Sequence, residues 1–351
     1  MTTLSSAISA SPQPDTDLKL SFRGFQWDDL PRVVELYNLR KAADGLDDLE
    51  TLEDTRNYYQ EPGFDVHTQV QLAVIHDQHG QEIIIGTCDL EYGHTGESRN
   101  WIDIAVHPDY VDRVWDRFAD HCEAELLRGA SSRQSDNLPL AVENWTYAGS
   151  VTTPPRLRAR GYLHARSFYR MRIDFDSEIE PVALPDGFEI RPFAPDQHMQ
   201  LAYEAHQEAF KDHWGSTRTP FDEWEHWLVK NPHADLSLWQ LVWDTSTNEI
   251  AAMTFNRRYS ENEPHMAWVN VLGTRRPYRK QGLGYALLRN TFRLFQQRGF
   301  TSAGLGVDAS SLTNAVALYE RAGMRVWRQW DLYAKMMRGE WLSSLYGEIN
   351  T

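Results

Sequence analysis

The chain has 351 residues, 41% of them hydrophobic, which exceeds one ordinary domain and fits two of about 150 residues each. Its net charge of -15 argues against unspecific binding to nucleic acid, whose phosphates are held by Lys and Arg, and no run approaches the ~18 apolar residues of a membrane span. Two cysteines give no disulfide framework and the thirteen histidines no visible metal site, so we expect a cytoplasmic protein without a metal.

The first residues, 1–17, are rich in Ser, Thr, Ala and Pro. They lack the basic start and apolar core of a signal peptide, so they predict a disordered tail. LKLSFRGFQWDDLPRVVELYNL then predicts a strand, a turn and a helix led by Pro31. VQLAVIHDQHGQEIIIGTCDLEY follows with two β-rich runs around a polar turn, which predicts a hairpin.

Four stretches of the first half return later in the same order, at separations of 162 to 169 residues. The matched pairs are Arg23 and Arg191, Val74 and Val242, Pro108 and Pro277, and Gly161 and Gly323. This pattern predicts a tandem duplication with domains at 18–176 and 188–351, joined by an acidic, Pro-containing linker at 177–187. Each copy predicts a mixed α/β (α+β) domain with a largely antiparallel sheet flanked by helices.

The second copy carries a glycine-rich loop, RKQGLGYA, between a strand and an amphipathic helix that ends at Gly299. A helix start leaves backbone N–H groups unpaired, so this place suits an anion, and Arg279 and Lys280 could add charge at its rim. The alternative is an ordinary strand-to-helix turn. Neither a Walker loop nor a dinucleotide fingerprint fits, because the required Lys-Ser/Thr pair and the third glycine are missing.

The loop resembles the pyrophosphate loop of the GNAT N-acetyltransferase superfamily, whose pattern is filled by Arg279, Gly282 and Gly284. LGVDASSLTNAVALYERAGMRV resembles the superfamily's next strand, loop and helix, so the resemblance covers about residues 188 to 340. The tandem arrangement is similar to two-copy acetyltransferases of the mycothiol synthase type.

The resemblance implies acetyl-CoA as the cofactor and assigns roles to particular residues. Tyr319 would be the general acid that protonates the departing thiolate, and Ser311 or Asn314 would touch the coenzyme. The strand end that would pair with the pantetheine arm is Val271, Leu272, Gly273 and Thr274. The backbone amides that would hold the pyrophosphate belong to Arg279, Lys280, Gln281, Gly282, Leu283, Gly284 and Tyr285.

The sequence departs from the superfamily in its missing base. The strand before the loop often supplies a glutamate, but here Trp268 or Asn270 stands at that place. The candidate replacements are His213, Glu263, His265 and Asp308, each of which could equally be a structural or solvated polar residue. A water relay would remove the need for any of them.

The first copy has no glycine from His107 to Leu127, and Asp109 and Asp112 add negative charge where a pyrophosphate would sit. We therefore expect a shortened loop and a degenerate domain that does not bind coenzyme A. It would either wall one side of the acceptor pocket or only stabilise its neighbour.

The acceptor region of the second copy is aromatic and acidic. Its large rings are Phe210, Trp214, Phe221, Trp224 and Trp227. They could bind a cationic amine by cation–π contact or simply pack a pair of helices. The expected function is transfer of an acetyl group to the amine of a small-molecule acceptor by direct attack, in a monomer or homodimer. The alternatives are a non-catalytic acyl-CoA sensor, transfer of a longer acyl group, or decarboxylation.

Overall fold

The computed structural model describes residues 19–94, 98–133, 138–311 and 314–347, so the predicted tail at 1–17 lies outside the described residues. The elements of the first half are β1 (Ser21–Gly24), α1 (Leu30–Ala43), α2 (Leu52–Tyr59), α3 (Val66–Gln69), β2 (Val70–His76), β3 (Glu82–Tyr92), β4 (Arg99–Val106), α4 (Val111–Arg133), β5 (Leu140–Tyr147), α5 (Thr153–Ala159) and β6 (Leu163–Asp174).

The second half repeats this order of elements, except for the short α3 of the first half and α10 at the end. Its elements are β7 (Phe188–Pro192), α6 (Pro195–Phe210), α7 (Phe221–Leu228), β8 (Gln240–Asp244), β9 (Glu249–Arg258), β10 (Met266–Thr274), α8 (Leu283–Gln297), β11 (Ser302–Asp308), α9 (Ala315–Arg321), β12 (Arg325–Arg338) and α10 (Ser343–Tyr346). Residues 175–187, which include the predicted linker, connect β6 to β7 without a helix or strand.

All twelve strands form one sheet in the order β1-β2-β3-β4-β5-β12-β6-β11-β10-β9-β8-β7. Two neighbouring pairs are parallel, β4 with β5 and β10 with β11, and the other pairs of this sheet are antiparallel. The prediction of a mixed, largely antiparallel sheet is therefore confirmed.

The last strand of each half is exchanged between the halves. β12 pairs with β5 of the first half, and β6 pairs with β11 of the second half. The two exchanged strands also pair with each other, for example at Trp330 and Phe168. Alternation along a strand does not reveal its partner strand, so the sequence patterns predicted the strands but not this exchange.

Helices cover both faces of the sheet, because each strand alternates its side chains between two apolar cores. On one face, α1 and α2 pack on the first half and α6 and α7 on the second. The opposite face carries α4 and α5, followed by α8 and α9. We call these the α6 face and the α8 face.

A buried carboxylate joins the two halves beside the exchanged strands. Asp48 accepts hydrogen bonds from Arg170 on β6 at 2.7 Å and from Arg328 on β12 at 2.8 Å. The Tyr259 hydroxyl donates to the same carboxylate at 3.2 Å. Since a buried charge is stable only when paired, this cluster fixes the α1–α2 segment of the first half against strands and loops of both halves.

Candidate functional site

A wedge opens between β10 and β11. The two strands are paired from Met266 with Ser302 to Val269 with Leu305, and the pairing ends there. Beyond this point β10 stays with β9 as far as Thr274, and β11 stays with β6 as far as Asp308. Among the described residues, the β11-facing edge of the β10 end therefore has no strand partner, and this is the edge to which the family resemblance assigns the pantetheine arm.

A β-bulge accounts for the divergence. The register of β10 against β9 shifts between Val269 and Val271, so Asn270 is an extra residue in the strand. An extra residue bends the bulged strand and increases its twist, which turns the end of β10 away from β11. The Asn270 Oδ1 accepts a hydrogen bond from Arg257 Nε at 3.1 Å, so a neutral amide, already engaged, stands where a glutamate was expected.

The end of β10 is pressed close to α6 at Gly273. A Cβ placed on Gly273 would lie 2.9 Å from the Met253 Sδ and 3.0 Å from the Phe210 ring. Only glycine allows this approach. Leu272, on the other side of the strand, packs against the core beneath α8. Val271, Leu272, Gly273 and Thr274 thus form a fixed strand end rather than a loose loop.

The glycine-rich loop lies at the open end of the wedge. A single 3-10 turn, Arg276–Tyr278, precedes it, and α8 begins at Leu283. Lys280 and Gly282 have positive φ angles, 63° and 85°. No side chain caps the first turn of α8, so its backbone N–H groups remain available to an anion. Gly284 follows within this first turn, and a Cβ there would make ordinary contact with Thr274 Oγ1 at 3.4 Å.

The two cationic residues of the glycine-rich loop, Arg279 and Lys280, have different surroundings. The Arg279 guanidinium turns inward and donates to Thr274 O at 3.2 Å, to Ala209 O at 2.8 Å and to Asp212 at 2.9 Å. Arg279 therefore ties the loop to the ends of β10 and α6, and its charge is already paired. Lys280 is exposed on the loop and Gln281 beside it is also exposed.

Tyr319 lies on α9 and belongs to the buried core that contains Leu305 and Val307 of β11. Burial raises the pKa of Tyr319 to about 12. Within the described residues its hydroxyl has no hydrogen-bond partner, which leaves the proton free to be donated to a ligand. A thiolate in the same apolar place would also be desolvated, which raises its affinity for that proton.

The loop between β11 and α9 contains the two predicted coenzyme contacts, Ser311 and Asn314. Ser311 N donates to Asp308 O, and Asn314 N donates to Ser311 O, each at 3.1 Å. Asn314 has a φ angle of 53° and precedes α9 without capping it by its side chain. Both residues lie on the chain between the wedge and the Tyr319 helix.

The structure separates the four candidate bases. Glu263 and His265 precede the first residue of β10, so a strand of about 26 Å lies between them and Thr274. Glu263 is also paired with Arg172 at 3.0 Å. Asp308 lies at the wedge, but its carboxylate is paired with Arg166 at 2.6 Å. His213 follows α6 and faces the groove described next.

A groove runs along the α6 face between the helices of the two halves. It is bridged where α2 meets α7, with His226 Nε2 2.9 Å from Asn57 O. The groove holds two cavities of about 610 Å³ and 1020 Å³. The smaller is lined by Asp103, Trp145, Arg170, Trp214 and Asp308 among others, and the larger by Tyr58, Glu61, Glu91, Phe210 and Trp227 among others.

The aromatic residues singled out in the sequence have two different locations, in the helix core or along the groove. Trp224 is buried in the core of α6 and α7, as expected for a packed helix pair. Trp214, Trp227 and Phe210 line the cavities. The sequence analysis missed the acidic residues Glu61 and Glu91, because they come from the first half and only the fold brings them here.

The described residues of the first half keep two diverging strands but lack the bulge, the glycine-rich loop and the tyrosine of the wedge site. Its β3 and β4 pair without a register shift, so β4 carries no bulge. The Asn144 amide donates across the diverging β4 and β5 to Ile102 O at 2.8 Å. The helix α4 begins at Val111 directly after a single turn, without a loop like Arg279–Gly282. At the repeat offset set by Gly161 and Gly323, the buried Leu157 stands in place of Tyr319.

Comparisons with known proteins agree with this geometry. Residues 199–324, from α6 to just beyond α9, match the acetyltransferase (GNAT) family model. Mycothiol acetyltransferase of Paenarthrobacter aurescens (strain TC1) is 26% identical over 252 residues, which cover 69% of this chain and 72% of the relative.

Two solved structures share the fold along nearly the whole chain. A GCN5-related N-acetyltransferase from Sphaerobacter thermophilus has a TM-score of 0.74 and 24% identity, covering 91% of this chain and 96% of that one. A tandem GNAT protein from the clavulanic acid biosynthesis pathway has a TM-score of 0.68 and 15% identity, covering 92% of this chain and 100% of that one.

The wedge, the glycine-rich loop and the paired halves define a two-copy acyltransferase fold. Residues 199–324 match the GNAT family model, and the chain as a whole is similar in sequence to mycothiol acetyltransferases and in fold to a tandem GNAT protein. The predictions of an acyltransferase and of acetyl-CoA as the family's cofactor are confirmed. The domain bounds and the roles of single residues stay predictions. None of the helices in the described part of the chain is long and apolar enough to cross a membrane.

Proposed function

We propose that this protein transfers the acetyl group of acetyl-CoA to the amine of a small-molecule acceptor by direct attack. The observation that carries the proposal is the wedge between β10 and β11, which lies between an uncapped helix start and a buried tyrosine. Acetyl-CoA supplies a thioester, whose carbonyl carbon is the electrophile. The residues of this chain must hold it, expose the carbonyl to the groove and give the sulfur a proton.

In this proposal, the successive parts of the coenzyme would lie along the wedge. The open N–H groups of α8 and the Arg279–Gly282 loop would hold the pyrophosphate. The free edge of Val271–Thr274 would accept the amide groups of the pantetheine arm, as an added strand. Backbone N–H groups at the bulge would polarise the carbonyl.

The acid–base requirement supports a role for Tyr319. Its pKa of about 12 keeps the phenol protonated at neutral pH. A protonated phenol can donate to the sulfur as the carbon–sulfur bond breaks, and it cannot serve as the base. The other half of the proton transfer must therefore come from the groove.

The charge of the groove favours an amine acceptor. Burial raises the pKa of Glu61 to about 7, and the neighbouring Glu91 and Glu223 carboxylates add to this shift. A cation placed between neighbouring carboxylates offsets their electrostatic repulsion and is therefore bound favourably. The Trp227 ring beside them offers a flat surface to the same ligand.

The test combines binding with turnover. Acetyl-CoA would be titrated calorimetrically, and release of free thiol would be followed across a panel of amines. Gly284→Asp places a carboxylate at the first turn of α8 and should abolish binding. Gln297→Asp adds the same charge at the exposed far end of the helix, about 20 Å away, and should bind normally. Binding without thiol release across the panel would contradict the proposed transfer.

A further inference from the structure

His213 lies across the opening of the wedge. The centroid of its ring lies 4.3 Å from that of Phe210, with the two planes tilted by 47°, and the edge of Phe210 lies 3.0 Å from the Cβ position of Gly273 on β10. On the other side, the His213 ring is close enough to Asp308, the last residue of β11, to feel its charge. His213 and Asp308 line the same cavity, so the imidazole lies at the groove side of the wedge in which the thioester would lie.

His213 is also available for chemistry. It is exposed to the groove and, among the residues that the structure describes, it is the one that lines both cavities. Within the described part of the chain its ring nitrogens have no hydrogen-bond partner. The nearby carboxylates are engaged, since Asp308 is paired with Arg166 and Asp212 with Arg279.

The surroundings keep the imidazole neutral at physiological pH. Partial burial and the Arg279 charge lower the pKa of His213, while Asp308 and Asp212 oppose this effect. A further titratable group near it is His206 on α6, whose pKa falls to about 4 chiefly because it is buried and also because it lies near His213. A neutral imidazole has one nitrogen lone pair that can accept a proton.

We propose that His213 is the general base that deprotonates the acceptor amine. This inference rests on the proposed acetyl transfer. An aliphatic ammonium, with a pKa near 10, has no lone pair for attack at neutral pH. It loses two protons in becoming an amide nitrogen.

The two protons have defined destinations. The first passes to the His213 imidazole before attack, and from there to the water of the groove. The second leaves the nitrogen after the carbon–nitrogen bond has formed, and it passes through the water of the groove to the Tyr319 phenolate, which has given its own proton to the sulfur as the carbon–sulfur bond breaks. No oxidant, metal or further reactant is needed.

The experiment compares wild type with His213→Ala and His213→Gln, and with His76→Ala as a control at an exposed position on the far edge of the sheet. For an aliphatic amine, the His213 variants should lower kcat by about 10²–10⁴-fold and leave acetyl-CoA binding unchanged. The acidic limb of the kcat/KM profile, set by His213, should disappear, and added imidazole should restore activity to His213→Ala. His76→Ala should match wild type.

A second acceptor separates proton transfer from positioning. A weakly basic aromatic amine is already neutral at pH 7, so its transfer should fall much less in the His213 variants. An equal fall for both amines, or variants within about threefold of wild type with the acidic limb intact, would overturn the assignment. Wild-type enzyme that binds acetyl-CoA without acetylating any amine would instead refute the proposed function, and this inference with it.

Discussion

Gly282 and Gly299 stand at the two ends of α8 with nearly the same backbone conformation. Their φ angles are 85° and 86°, and a Cβ at either position would meet nothing within 4 Å. Replacement by alanine therefore adds no clash and costs about 1–2 kcal/mol in each case, because an L-residue is strained in the left-handed region. The two positions differ in one respect: Gly282 belongs to the proposed pyrophosphate loop.

The strain energy of the introduced alanine should affect different measured quantities at the two ends of α8. Gly299→Ala should lower the free energy of unfolding by the whole 1–2 kcal/mol and leave acetyl-CoA affinity unchanged. In Gly282→Ala the loop of the free protein can relax into a less strained conformation. The strain energy of about 1–2 kcal/mol would then appear partly as a lower free energy of unfolding and partly as weaker binding of acetyl-CoA. The dissociation constant should rise by up to roughly 5–30-fold, since 1.4 kcal/mol is a factor of ten. Urea unfolding measures the free energy of unfolding, and calorimetric titration measures the dissociation constant of acetyl-CoA. Weaker binding in Gly299→Ala, or no loss of either quantity in Gly282→Ala, would refute the reasoning.

Three further predictions follow from buried groups. Tyr319→Phe should lower kcat by about 10²–10⁴-fold, and the wild-type rate should not fall on the alkaline side before the pH nears 12, which a kcat profile to pH 10 checks. Gly273→Ala should cost about 1–3 kcal/mol of stability by overpacking against Met253 and Phe210; unchanged urea unfolding would contradict this. Burial raises the pKa of Asp89 from 3.8 to about 8, so its contribution to stability is full below 3.8 and is lost as the pH rises through 8. Asp89→Asn should therefore be more stable than wild type at pH 9 by at least about 1 kcal/mol, but not at pH 4, in urea unfolding at both values.

Local patterns in the sequence predicted much of the candidate site. The apolar period of α8, the two glycines before it and the strand ahead of it are short-range features, and the structure has them in that order. The shortened loop of the first copy could also be predicted from nearby residues, and in the structure α4 begins directly after the turn. These features depend on residues close together in the chain.

The remaining features depend on pairing between distant segments. The bulge at Asn270 is visible only in the register of β10 against β9, and the exchange of β6 and β12 only in the order of the sheet. Arg279 fits the loop pattern by its type, but its side chain contacts Ala209 at the end of α6 and Asp212 in the turn after it, some seventy residues earlier in the chain. The acidic groove likewise requires the first half to lie against the second.

The exchanged strands also affect how the protein is made. During synthesis, β5 leaves the ribosome long before its partner β12, because roughly 180 residues separate the two strands, which takes about 10–40 s at ordinary elongation rates. Throughout that interval the nascent first half exposes an unpaired strand edge that is open to pairing with other chains. Translation speed and chaperone supply should therefore control the yield of this enzyme more strongly than for two halves with self-contained sheets.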